Sequence, residues 1–76
     1  MRDLVLWLAR ELVEDKGAVT VETIERDRST VFELTVAQDD LGRVIGRGGR
    51  TAKAFRTVLD TAARLNGRRA VLDILD

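Results

Sequence analysis

The sequence has no cysteine and no histidine. Their absence removes disulfides, thiolate chemistry, the usual zinc ligands and the side chain that ordinarily titrates near neutral pH. Little remains for a catalyst to use, which argues against a self-contained enzyme. No stretch reaches the ~18 apolar residues that read as a membrane span. The first residues, with Asp3, Glu11 and Glu14, lack the pattern of a cleaved signal, so a soluble cytoplasmic protein is expected. Aromatic residues are limited to Trp7, Phe32 and Phe55. With 76 residues the chain reads as one domain over 1–76, near the lower size at which a single core suffices.

Charge is balanced in total but not in distribution. From Arg43 to Arg69 there are eight basic residues against one acid, Asp60, a net of +7; the remainder carries five basic and twelve acidic residues, a net of −7. Such segregation gives the molecule a one-sided electrostatic footprint, as a polyanion-binding face requires. Three of the six glycines lie in the stretch Val44-Ile45-Gly46-Arg47-Gly48-Gly49-Arg50, inside the basic segment. Glycine has no Cβ to hold another backbone away and tolerates positive φ, so this loop suits close approach by an anionic molecule.

Periodicity gives the flanking elements. Residues 3–14 read as a helix with Asp3 as N-cap, a stripe of Leu4, Val5, Leu8, Leu12 and Ala9, and Gly17 as the stop. Leu6 and Trp7 fall off that stripe, so the helix is either covered on two sides or presents an apolar spot to a partner. Alternation predicts strands over 18–25 and 30–37, joined by the charged turn Glu25–Ser29. Asp39 or Asp40 caps a short helix ending near Ile45. A longer helix from about Arg50 to Leu65 sets Ala52, Phe55, Val58, Leu59, Ala62 and Leu65 on one side and Arg50, Lys53, Arg56, Asp60 and Arg64 on the other. Asn66-Gly67 ends it before a last strand over 70–75. The order α-β-β-α-α-β predicts a two-layer α+β domain, a three-stranded sheet with one face under three helices.

Two nucleotide motifs fail at the glycine loop. A P-loop ending at Gly49-Arg50-Thr51 needs glycine at position 44, which is Val44; a dinucleotide fingerprint starting at Gly46 needs glycine at position 51, which is Thr51, and follows a strand. What fits is a G-x-x-G loop between two helices, the second presenting free amides and a positive dipole end to phosphate. At Ile45-Gly46-Arg47-Gly48-Gly49, preceded by Val44 and followed by a basic amphipathic helix, the chain resembles the KH domain, a module that clamps single-stranded nucleic acid. With one strand after the helix pair, it is similar to the type II, prokaryotic KH arrangement over nearly its full length.

The resemblance implies a non-catalytic, cofactor-free protein binding about four nucleotides of single-stranded RNA or DNA. Gly46, Gly48 and Gly49 would admit the sugar-phosphate backbone, with Arg47 and Arg50 facing phosphates and Arg43, Lys53 and Arg56 extending the positive surface. Ile45, with Leu41 and Val44, would either floor the bases or belong to the core. The family further implies an RNA chaperone or post-transcriptional regulator in bacteria, working as a homodimer or with a Jag-like protein that has its own KH domain (KhpB). An alternative from another class is an assembly module acting through the first helix and Leu6 or Trp7.

Overall fold

The computed structural model describes residues 1–76. Helix α1 spans Arg2–Leu12, strands β1 and β2 span Thr20–Glu25 and Ser29–Thr35, α2 spans Leu41–Ile45, α3 spans Arg50–Arg64 and β3 spans Arg69–Ile74. The sheet order is β1-β2-β3, with β1 antiparallel and β3 parallel to the central β2. A parallel neighbour requires a crossover, and here α2, the glycine loop and α3 supply it. The fold is therefore the predicted α+β arrangement, a mixed three-stranded sheet with three helices.

Register decides which face is covered. Val21 pairs with Leu34 and Phe32 with Leu72, and these side chains join Val5, Ala9, Val44, Phe55 and Leu59 in one buried cluster. The opposite face carries the row Glu22, Glu33 and Asp73, aligned across all three strands. Like charges placed directly opposite disfavour pairing, so this row is tolerated only because the face is open to solvent.

Helix α1 departs from expectation at both ends. Met1, not Asp3, occupies the N-cap position, and Asp3 lies within the first turn, where a negative charge suits the helix dipole without capping it. The helix stops at Leu12, before Gly17, because Val13 turns extended and is buried. The Lys16 ammonium then satisfies carbonyls of Arg10 (2.7 Å) and Val13 (2.9 Å). Leu6 packs partly buried against the core, whereas Trp7 is 59% exposed. Of the two residues off the stripe, only Trp7 is thus free to meet a partner.

The strands begin and end within two residues of expectation, but Thr23 is exposed although it shares the Val21 face. Arg2, at the start of α1, donates from Nε to the Val21 carbonyl (3.2 Å) and so ties the first turn of the helix to β1. Helix α3 ends as a Schellman closure, with Arg68 N–H donating to the Ala63 carbonyl (3.0 Å) and Gly67 N–H to that of Arg64 (3.0 Å). Arg68 then reaches back, its Nη2 donating to the carbonyls of Arg26 (3.0 Å) and Ser29 (2.9 Å), which ties this turn to the hairpin loop.

Asp40 is the one buried charged residue. It stands at the N-cap position of α2, but its carboxylate makes no cap bond there. It accepts instead from the amides of Glu14 (Oδ1, 3.2 Å) and Asp15 (Oδ2, 3.1 Å) and from Arg43 Nε (Oδ1, 3.1 Å). The segment after α1 is thereby fastened to the start of α2. The Asp15 amide, aided by the Glu14 amide and the Arg43 guanidinium, holds the Asp40 carboxyl below its ordinary value of 3.8, against the opposing effect of burial. A carboxyl whose folded pKa is lowered stabilises the protein above the unfolded value and loses that contribution as pH falls through the folded one. Urea unfolding of Asp40→Asn should accordingly show a clear loss of stability at neutral pH. Its deficit relative to wild type should shrink as pH drops below about 4.

Candidate nucleic-acid interface

The glycine loop forms a tight turn over Arg47–Gly49 between α2 and α3, closed by the Gly49 N–H donating to the Gly46 carbonyl (3.1 Å). Gly46, Gly48 and Gly49 have φ of 76°, 64° and 77°, a region L side chains enter only with strain. Their surroundings differ. A Cβ on Gly46 would collide with the Thr51 side chain and sit 2.8 Å from the Thr51 backbone nitrogen. Gly46 therefore lets the chain fold tightly onto its own helix. Around Gly48 and Gly49 an added Cβ would meet nothing within 4 Å, so the outward surface of the loop is open to a ligand. No side chain caps the N-terminus of α3, which leaves its positive end facing the same opening.

From this junction α3 runs with Ala52, Phe55, Leu59 and Ala63 buried. Their burial turns Arg50, Lys53 and Arg56 to solvent, all three exposed. Lys53, Arg56, Thr57 and Asp60 face Arg69–Leu72 of β3 across an open groove of about 330 Å³. Strand β3 lies at the edge of the sheet, so one row of its backbone groups points away from β2. Arg56 Nε donates across the groove to the Leu72 carbonyl (3.3 Å). The glycine loop adjoins the start of the exposed face of α3, and that face and the free edge of β3 border one open groove. Sequence patterning located the first two parts and missed the third, because the pairing that leaves β3 at the edge is a tertiary fact.

The basic segment is less free than its composition suggests. Arg43, expected on the binding surface, is ion-paired with Glu14 and with buried Asp40, so its charge is already engaged. Arg64 and Arg69 approach Asp60 at 3.0 and 3.5 Å, and Arg68 is held by backbone carbonyls. Arg47, Arg50, Lys53 and Arg56 have no carboxylate within 4 Å. Arg56 is tied to the Leu72 carbonyl through Nε, but none of these four charges is neutralised by a carboxylate. The acidic row of Glu22, Glu33 and Asp73 lies on the far side of the sheet, so the two faces of the molecule differ in charge.

The three aliphatics before the loop have separate fates. Val44 is fully buried and Leu41 packs partly buried against the core, so only Ile45, 41% exposed, is accessible beside the loop. Phe32 and Phe55 are core residues, which leaves the groove without a stacking aromatic. No group of carboxylates in the chain is arranged to hold a metal ion, and no helix is long and apolar enough to cross a membrane.

Residues 2–74 match the family model described as KhpA/KhpB, KH domain. The chain is 45% identical over 76 residues to the RNA-binding protein KhpA of Aquifex aeolicus, covering 100% of this chain and 96% of that protein. It is 42% identical over 74 residues to the KhpA of Borreliella burgdorferi, covering 97% and 90%. Identity to the KhpA of Halalkalibacterium halodurans is 45% over 76 residues, covering both chains completely. No solved structure matches the chain. With the α-β-β-α-α-β order and the interhelical G-x-x-G loop in place, the chain belongs to the KhpA/KhpB family of KH domains.

Proposed function

We propose that the protein binds single-stranded RNA without catalysing a reaction on it, clamping about four nucleotides along the channel from Gly46 to the β3 edge. The observation that carries this reading is the convergence of the open Gly48-Gly49 surface with the four unpaired cations Arg47, Arg50, Lys53 and Arg56. The family and the RNA-binding relatives support it. Phosphates pass over the loop, where Gly48 and Gly49 leave room and Arg47 and Arg50 supply charge. Lys53 and Arg56 continue the attraction along α3, and bases turn toward Ile45 and the β3 backbone. Arg43 holds α2 in place and is not part of the contact surface. The absence of thiols and imidazoles leaves the chain few means for chemistry on RNA.

A site built from four cations and no stacking aromatic is weak, with a Kd on the order of 10⁻⁴ to 10⁻⁶ M at physiological salt. A second KH module, a second copy or a KhpB-type protein, would strengthen it, because linked sites gain avidity, and the family resemblance supports a role as an RNA chaperone or post-transcriptional regulator in the bacterial cytoplasm. Fluorescence anisotropy with a labelled single-stranded RNA checks the clamp. The double variant Arg47→Asp, Gly48→Asp should lose at least about tenfold in affinity while its circular dichroism is unchanged. The wild-type plot of log affinity against log salt should have a slope of about −3, as four phosphate contacts on a single strand require. Undiminished binding by the folded double variant would place the RNA elsewhere.

A second reading is favoured by one specific feature. Trp7, 59% exposed, and Val58, 46% exposed, flank an apolar groove of about 400 Å³ between α1 and α3, lined also by Leu8, Leu12, Ala54 and Phe55. An apolar trough with an exposed tryptophan at its side is suited to assembly with another KH module. Sedimentation at increasing concentration should show self-association for the wild type and a monomer for Trp7→Glu. A strict monomer in both removes the homodimer form of this reading.

A further inference from the structure

Asp60 is the single acid in the basic segment and stands in the wall of the nucleic-acid groove, opposite Arg69–Leu72 and beside Arg56 and Thr57. Its two oxygens differ. Oδ2 is met by Arg64 Nη2 at 3.0 Å, one turn further along α3. Oδ1 is shut off from solvent and has no hydrogen-bond partner. The nearest cation to it, Arg69 Nε, lies at 3.5 Å without a hydrogen bond, and the Arg69 side chain is 70% exposed. A buried acceptor left unpaired is costly, and a negative charge in a channel for polyanions opposes the field of its neighbours. Charge attraction to Arg64 alone would be served by Oδ2. Within the chain Oδ1 is approached only by the Arg69 guanidinium, which leaves its hydrogen-bonding capacity unused.

We propose that Asp60 selects the base bound at the β3 end of the groove. This rests on the RNA-binding reading above. Arg69, held by distance alone, moves aside, and Oδ1 accepts from an N–H donor on a base edge. Cytosine and adenine present an exocyclic amine that can fill this role, as in carboxylate recognition of the cytosine amine. Uracil presents carbonyl oxygens on either side of its one imino group, and these are repelled by the carboxylate. Arg64, by holding Oδ2, fixes the carboxylate so that one oxygen faces the base. The groove therefore discriminates against uracil at one position, although the phosphate contacts are indifferent to sequence.

The test measures a ratio of affinities, which the overall charge of the variant does not move. Labelled rC8, rA8 and rU8 are titrated with wild type, Asp60→Asn, Asp60→Ala and Arg69→Ala by fluorescence anisotropy. Wild type should bind rC8 and rA8 about tenfold more tightly than rU8, the size expected of one hydrogen bond to a charged acceptor. Asp60→Asn, whose amide both donates and accepts, and Asp60→Ala should bring the three affinities within about twofold of each other. Arg69→Ala uncovers Oδ1 and should keep or widen the preference. Equal wild-type affinities, a preference that survives both Asp60 substitutions, or its collapse in Arg69→Ala would each overturn the assignment while leaving RNA binding itself intact. If wild type binds none of the three, the RNA-binding reading falls and this inference with it.

Discussion

The burial of Phe55 and Leu59, with Ala52 and Ala63, fixes the rotation of α3 on the sheet. Everything on the functional side follows from that rotation. At 100° per residue, seating these four side chains sends Arg50, Lys53, Thr57 and Asp60 to the opposite stripe. The same packing that supplies the core therefore aims the basic face, and it places that face beside β3, against which α3 lies. A helix of the same composition with its apolar residues one position out of phase would fold against the sheet with its charges pointing elsewhere.

Two smaller devices hold the loop relative to that helix. Gly46 allows the turn to close onto Thr51, a contact no side chain at that position would permit. Asp40, accepting from the amides of Glu14 and Asp15 and from Arg43, ties α2 to the segment that follows α1. The loop is thus pinned at both ends while the surface of Gly48 and Gly49 stays open. For a small site with modest attraction, this preorganisation matters, since ordering a loose loop on binding would consume much of the available free energy.

Much of this was legible in the residues because it depends on local periodicity. The alternation in 18–25 and 30–37, the Ala52, Phe55 and Leu59 part of the α3 stripe and the Asn66-Gly67 stop each encode an element without reference to the rest of the fold, whereas Val58 and Leu65, expected on that stripe, are exposed and Ala63 is buried, since only packing fixes the exact rotation of the helix. What was not legible depends on partners distant in sequence. Asp40 looks like a helix cap until Glu14 and Asp15 are brought beside it, and Arg43 looks like a free cation until Glu14 and Asp40 claim it. Leu6 and Trp7 are indistinguishable as off-stripe apolar residues, and only packing separates the one that joins the core from the one that does not. The β3 edge is of the same kind, because strand order is set by the crossover and not by the strand.

The charge pattern also changes meaning once folded. Arg43, Arg64, Arg68 and Arg69 are paired with carboxylates, and the other four basic residues of the segment, which have none within 4 Å, lie away from the acidic row of the open sheet. In the proposed binding mode RNA lies along the loop, α3 and the β3 edge. Backbone amide chemical-shift mapping by NMR during titration with a short single-stranded RNA tests it most directly. Shifts concentrated at Ile45–Arg50, at Lys53 and Arg56, and along Ala70–Leu72 are expected. Shifts centred on Trp7 and Val58, or on Glu22, Glu33 and Asp73, with the loop unmoved, would contradict it.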